Sequence, residues 1–141
     1  MDINRVLFVC IHNSARSQMA EAFLNSLGNG RFLAKSAGIE PGRLNPYVVK
    51  VMNEIGIDIS GNRTTGVDAL IDAGTRFDYV ITVCDETSAE RCPIFPTGGI
   101  RLHWGFNDPS ALKGSDDEIM RGTRIIRDQI NNKIREWIRE I

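Results

Sequence analysis

The run Val6-Leu7-Phe8-Val9 constrains this chain more than any other feature. Four consecutive apolar residues of β-favouring type, with no polar residue alternating among them, need cover on both faces, as a strand inside a parallel sheet has. Tyr79-Val80-Ile81-Thr82-Val83 is the most strongly β-branched run in the chain and predicts a second central strand. Phe32 to Ala37, ending at Gly38, and Ile100 to His103 predict two more.

Helical patterns separate these runs. From Ser14 onward, Met19, Ala20, Phe23, Leu24 and Leu27 recur at helical spacing, and Gly28 suits the position past the last turn. Pro46 to Ile55 reads as a helix with proline in its first turn and Gly56 beyond its end, and Val67 to Ala73 as a short helix. A polar, short-helical segment is expected over Asp85 to Arg91. The C-terminal stretch sets Ile119, Ile125, Ile126, Ile130, Ile134, Trp137, Ile138 and Ile141 among charges, which makes an amphipathic helix. Strands alternating with helices give an α/β fold, here a single-domain three-layer sandwich over residues 1–141 with a central four-stranded parallel sheet. Its ligand belongs at the carboxyl ends of the strands.

Composition narrows the function. Seventeen Lys and Arg against eighteen Asp and Glu leave a formal charge of −1, which provides no broad basic field for nucleic acid or anionic lipid. The apolar run near the start is too short to cross a bilayer, and no signal-peptide pattern precedes it. A cytoplasmic monomer is the expectation. The three cysteines are an odd number, and in a reducing compartment they read as free or reactive thiols rather than as a structural staple.

Cys10-Ile11-His12-Asn13-Ser14-Ala15-Arg16-Ser17 falls between the first strand and the first helix. A loop wrapping into a helix N-terminus aims backbone N–H groups at one point, and the helix dipole adds partial positive charge, so a tetrahedral oxyanion fits there. Arg16 can fold its planar fork over the same anion and bond two oxygens at once. The same field favours a thiolate at Cys10, a nucleophile aimed at the bound anion. Ser17 is placed to donate its hydroxyl to that sulfur, and Asn13 is a non-glycine residue that tolerates positive φ. His12 reads as a structural or solvent-facing group. Taken singly, Cys10 would pass for a small buried residue and Arg16 for a surface charge; their spacing at this junction argues for a site.

Asp108 follows the last strand, and Pro109 restricts its backbone to extended conformations. It is a candidate proton donor to a departing oxygen, or simply part of an Asx-Pro turn. Cys84 ends the strongest strand and so emerges at the same carboxyl edge as Cys10. Cys92 lies eight positions later, a spacing that supplies no zinc-type pair. Cys84 and Cys92 read either as independent buried thiols or as a relay, since a thiolate bound to an oxidised centre needs a second thiol to release the product, and a disulfide near the site needs a third to carry it outward. Cys84 and Cys92 can pair only if the segment between them rearranges; Pro93, Pro96 and Gly98-Gly99 suit a loop that moves.

The Cys-x5-Arg-Ser pattern resembles that of the low-molecular-weight protein tyrosine phosphatases, and the string from Cys10 to Glu21 resembles the variant in the thioredoxin-coupled arsenate reductases of that superfamily. The likeness continues through Lys35-Ser36-Ala37-Gly38, Cys84, Cys92-Pro93 and His103-Trp104-Gly105-Phe106-Asn107-Asp108-Pro109, over most of the chain. It implies arsenate bound by the amides of Ile11, His12, Asn13, Ser14 and Ala15 and by Arg16, with Cys10 as nucleophile, Ser17 beside it and Asp108 as general acid. It further implies a disulfide relay through Cys84 and Cys92 recycled by thioredoxin or a similar dithiol. In the resembling reductases the latter two cysteines stand one residue closer. No organic cofactor is implied. Some related reductases hold potassium beside the loop; Asn13, Glu21 and Ser36 match contributing positions, but Thr64-Thr65-Gly66 lacks the expected acidic residue, and no metal is assigned. Ser110 and Ala111 follow Asp108 where the phosphatases often place aromatic residues, which suits a small inorganic anion. The alternatives are a phosphatase using Cys10, Arg16 and Asp108 alone, and a non-catalytic anion-binding module.

Overall fold

The computed structural model describes residues 3–84 and 98–141. Four parallel strands form one sheet: β1 (Asn4–Cys10), β2 (Phe32–Gly38), β3 (Tyr79–Thr82) and β4 (Ile100–His103), in the order β2-β1-β3-β4. The apolar run Val6-Leu7-Phe8-Val9 lies in β1, between β2 and β3 at the centre of this sheet. Val6, Leu7, Phe8 and Val9 have no exposed surface. Their side chains alternate between two cores, as the pleat dictates. Val6 and Phe8 join Ile81 and Val83 on one face; Leu7 and Val9 join Ala37, Val80 and Phe77 on the other.

The first face is the larger core. Helix α1 (Arg16–Leu27) contributes Met19, Ala20, Phe23 and Leu24, α2 (Pro46–Asn53) contributes Val48 and Met52, and α4 (Asp116–Glu140) contributes Ile126, Ile130, Ile134 and Trp137. The second face is covered, among the described residues, by α3 (Val67–Asp72) through Val67, Leu70 and Ile71. Helices on both sides of a parallel sheet make the three-layer sandwich expected from the alternating patterns.

Ends of elements differ from the sequence reading for local reasons. Helix α1 begins at Arg16 rather than Ser14, because Asn13 takes φ 55° and Ala15 sits in a non-helical conformation with no side-chain cap. Helix α4 begins three residues before Ile119, where Ser115 and Glu118 form a capping box. Strand β4 is an exposed edge, whereas β3 lies between β1 and β4. The expected helix over Asp85 to Arg91, together with Cys92, Pro93 and Pro96, lies outside the described residues.

Candidate active site

All six backbone carbonyls from Cys10 to Ala15 are engaged by donors outside the loop's cavity. Ile39 N–H donates to the Cys10 carbonyl at 3.1 Å, Glu40 to Ile11 at 2.7 Å, Gly42 to His12 at 2.9 Å and Asn45 to Ser14 at 2.9 Å. Gln18 Nε2 donates to the Asn13 carbonyl at 3.1 Å, and Met19 N–H to Ala15 at 3.0 Å. A trans peptide sets each N–H opposite the carbonyl that precedes it, and no peptide is cis among the described residues. Turning the carbonyls outward therefore turns the amides of residues 11–16 inward. Asn13 N–H reaches the Cys10 Sγ at 3.2 Å. Helix α1 starts at the same point, with its first turn uncapped by any side chain. The result is a concave set of donors with a sulfur at its base, the arrangement that binds a tetrahedral oxyanion.

The loop's shape depends on residues distant in sequence. Gly38, at the end of β2, lies so close beneath it that a Cβ there would stand 2.7 Å from Asn13 N, 2.8 Å from the His12 carbonyl carbon and 2.8 Å from the Ile11 carbonyl oxygen. Asn13 is fully buried, and its Oδ1 accepts from Thr65 N–H at 2.9 Å and from Gln18 Nε2 at 3.2 Å. Gln18 in turn donates to the Arg63 carbonyl and accepts from Asn62 Nδ2, both at 3.1 Å. This network fixes the left-handed residue. It also settles which atom of Asn13 is which: Nδ2 faces Ser17 Oγ, 2.8 Å away, and must donate to it. The Ser17 hydroxyl proton is then available to Cys10 Sγ at 2.8 Å. Two donors thus meet on one buried sulfur.

Arg16 is 4% exposed, with Nη1 donating to the Phe106 carbonyl at 3.1 Å and Nη2 standing 3.7 Å from Asp108 Oδ2. Its Nε is buried and makes no hydrogen bond. A buried guanidinium donor without an acceptor is costly, and an anion seated over the loop would supply one. Asp108 is more open, its side chain 37% exposed, and its Oδ1 accepts from Ser110 N–H at 2.9 Å. The loop that carries it is rooted at Trp104, whose N–H bonds the Thr82 carbonyl at 2.8 Å and whose ring packs on Phe8 and Trp137.

Cys84 is buried two residues past the end of β3 and shares the larger core with Cys10. Val83 N–H bonds the Val9 carbonyl at 2.8 Å, so the ends of β1 and β3 lie side by side and each carries a cysteine. Neither is in a disulfide. His12 is exposed, and since a carbonyl can only accept, its Nδ1 donates to the Glu40 carbonyl at 2.8 Å. Cys92 lies outside the described residues. Of the matched potassium positions, Ser36 Oγ donates to Glu21 Oε1 at 3.2 Å, and Asn13 Oδ1 accepts from Thr65 N–H and Gln18 Nε2. No group of three or more His, Cys, Asp or Glu able to hold a metal is present among the described residues.

Gln18, Gly38 and the donor segment 39–45 were not legible as site residues. Their role comes from the approach of β2 to the loop, which no local spacing encodes.

Comparison with known proteins gives a consistent picture. The family model for low molecular weight phosphotyrosine protein phosphatase matches residues 5–141. Arsenate reductase of Bacillus subtilis (strain 168) is 38% identical over 137 residues, covering 97% of this chain and 96% of that protein. Among solved structures, an arsenate reductase in the phosphate binding state superposes with a TM-score of 0.77 at 31% identity, covering 99% of each chain. A thioredoxin-dependent arsenate reductase of Corynebacterium glutamicum gives 0.70 at 31% identity, covering 98% of this chain and 61% of that one.

Proposed function

The chain belongs to the low molecular weight phosphotyrosine protein phosphatase family, and from that premise we propose that it is an enzyme that reduces arsenate to arsenite, with Cys10 as nucleophile and thioredoxin or a similar dithiol as reductant. The observation that carries the reading is the pair of buried cysteines at adjacent strand ends, Cys10 inside the donor loop and Cys84 beside it. Hydrolysis of a phosphate ester needs only the first. The relatives named arsenate reductase, and the neighbour named thioredoxin-dependent, support the same choice.

Arsenate seats its oxygens on the inward amides and on Arg16. The Cys10 sulfur forms a bond to arsenic(V), and the oxygen it displaces takes a proton from Asp108 and leaves as water. Ser17 and the Asn13 amide hold the attacking sulfur in line. Cys84, as thiolate, then attacks the Cys10 sulfur. The sulfur–arsenic bond breaks with its electron pair going to arsenic, arsenite departs, and a Cys10–Cys84 disulfide forms. Cys92 attacks Cys84 and returns Cys10 to the thiolate. The dithiol reductant supplies two electrons and two protons to the resulting Cys84–Cys92 disulfide. Such a cycle suits a reducing compartment, the cytoplasm. Among the described residues no helix is long and apolar enough to cross a membrane.

The same loop with Asp108 favours a side activity on phosphate esters, since phosphate and arsenate share shape and charge. The test supplies arsenate with thioredoxin, thioredoxin reductase and NADPH. Wild type should consume NADPH in an arsenate-dependent way, and Cys84→Ser and Cys92→Ser should each abolish that turnover. Undiminished rates in both variants would overturn the relay, and a wild type that consumes no NADPH with arsenate but hydrolyses phosphate esters would leave a phosphatase.

A further inference from the structure

Asn45 is joined to both halves of the site. Its backbone N–H donates to the Ser14 carbonyl at 2.9 Å, on the outside of the anion loop. Its side-chain Oδ1 caps α2 by accepting from Tyr47 N–H at 2.8 Å and Val48 N–H at 3.3 Å. Two backbone donors on one atom identify it as the oxygen, so Nδ2 is the group that donates to Ser110 Oγ at 3.0 Å. Ser110 N–H holds Asp108 Oδ1 at 2.9 Å. A continuous chain of hydrogen bonds thus runs from the loop that binds the anion, through Asn45 and Ser110, to the carboxyl that protonates the departing oxygen.

A second connection between these loops is Arg16, through the Phe106 carbonyl and the long contact to Asp108. That connection is the one a bound anion competes for, because the guanidinium fork must also serve the substrate. The Asn45 link makes no use of the guanidinium: its backbone N–H bonds the Ser14 carbonyl, its Nδ2 bonds Ser110 Oγ, and the residue is 9% exposed.

We infer that Asn45 is a positioning residue for the reaction proposed above: by tying Ser110 to the anion loop it sets the Asp108 carboxyl at protonation distance from the anion, without touching the substrate. The inference rests on the assignment of Asp108 as proton donor. Misplacing a catalytic group by about 1 Å is worth roughly a hundredfold in rate, so a single tether of this kind is enough to matter.

The experiment uses pre-reduced protein, arsenate and no reductant, and follows thiol loss over one turnover at a series of arsenate concentrations. Asn45→Ser keeps a helix cap, because serine caps about as well as asparagine, but is too short to reach Ser110. Its maximal single-turnover rate should fall at least tenfold. The half-saturating arsenate concentration and the phosphate inhibition constant should stay within about twofold, since the amides and Arg16 are untouched. Ser110→Ala should behave the same way. Asn45→Ser combined with Asp108→Asn should be no slower than Asp108→Asn alone, because Asn45 acts through that carboxyl. A wild-type rate in Asn45→Ser, or a loss that adds to that of Asp108→Asn, overturns the inference. A wild-type protein that loses no thiol with arsenate overturns the arsenate reading, and the Asn45 inference falls with it.

Discussion

The two loops of the site are built differently. From Cys10 to Ser17 every backbone carbonyl up to Ala15 is bonded outward, Asn13 and Ser17 are fully buried, and a glycine lies in contact beneath the backbone. The loop from Trp104 to Leu112 is anchored at its first residue by aromatic packing, but its acid is about a third exposed and is held by one short hydrogen bond from Ser110. Binding a tetrahedral anion needs donors fixed before it arrives, since ordering them afterwards would consume affinity. Delivering a proton needs a group that reaches the leaving oxygen and re-equilibrates with solvent. Rigidity in the first and openness in the second match the roles proposed for each.

Asp108→Asn breaks that division most sharply. Loss of a general acid costs about 10²–10⁴ in rate. The single-turnover rate should fall by that order while phosphate inhibits as it does in wild type, because the donors to the anion are elsewhere. Equal losses in rate and in phosphate affinity would mean that the carboxylate shapes the anion site as well.

Gly38→Ala tests the rigid half. A Cβ at 2.7–2.8 Å from three backbone atoms of residues 11–13 cannot be accommodated by rotating a side chain, so the loop itself must move. Rate and phosphate affinity should fall together, the rate by roughly a hundredfold for a displacement near 1 Å, with a stability loss of about 1–3 kcal/mol typical of overpacking. Titration calorimetry with phosphate and a thermal melt check both. Unchanged phosphate affinity would show that the loop adjusts more freely than its hydrogen bonds suggest.

The rigid half was also the part easier to read from the chain. The apolar run before Cys10, the helix after it and the Cys-x5-Arg-Ser spacing are contiguous, so local pattern locates the loop and its thiol. Asn13 was expected to tolerate positive φ and has φ 55°. What holds the loop in shape was not legible: Gly38 reads as the end of a strand, Gln18 as a polar residue on a helix, and Asn45 as the residue ahead of Pro46. Each acts across 5 to 65 residues of sequence, through contacts that exist only once β2 has paired with β1 and α2 has packed against the larger core. The acid loop was the harder case, since Asp-Pro serves equally as a turn, and here Asp108 indeed caps the short 3₁₀ turn Pro109–Ala111.

The rigid region has an outer limit, and Glu21 marks it. On α1 its Oε1 accepts from Ser36 Oγ, two residues before Gly38. Burial pushes its carboxyl above the ordinary 4.5, against the opposing pull of the Ser36 hydrogen bonds and of Lys35. A carboxyl whose folded value is raised binds its proton more tightly in the folded chain than in the unfolded one. Stability therefore falls as pH rises from about 4.5 through the raised folded value, and the charged form is a net cost at neutral pH. Glu21→Gln keeps the oxygen that Ser36 bonds and removes the charge. Its melting temperature relative to wild type should be higher at pH 7 than at pH 4, a smaller effect than either substitution above. Phosphate affinity should be unaltered, because the pair lies behind the strand end and not under the amides. A variant less stable at pH 7 than at pH 4 relative to wild type would mean that the folded chain stabilises the Glu21 carboxylate. Electrostatic support for the loop would then extend further along β2 than its hydrogen bonds show.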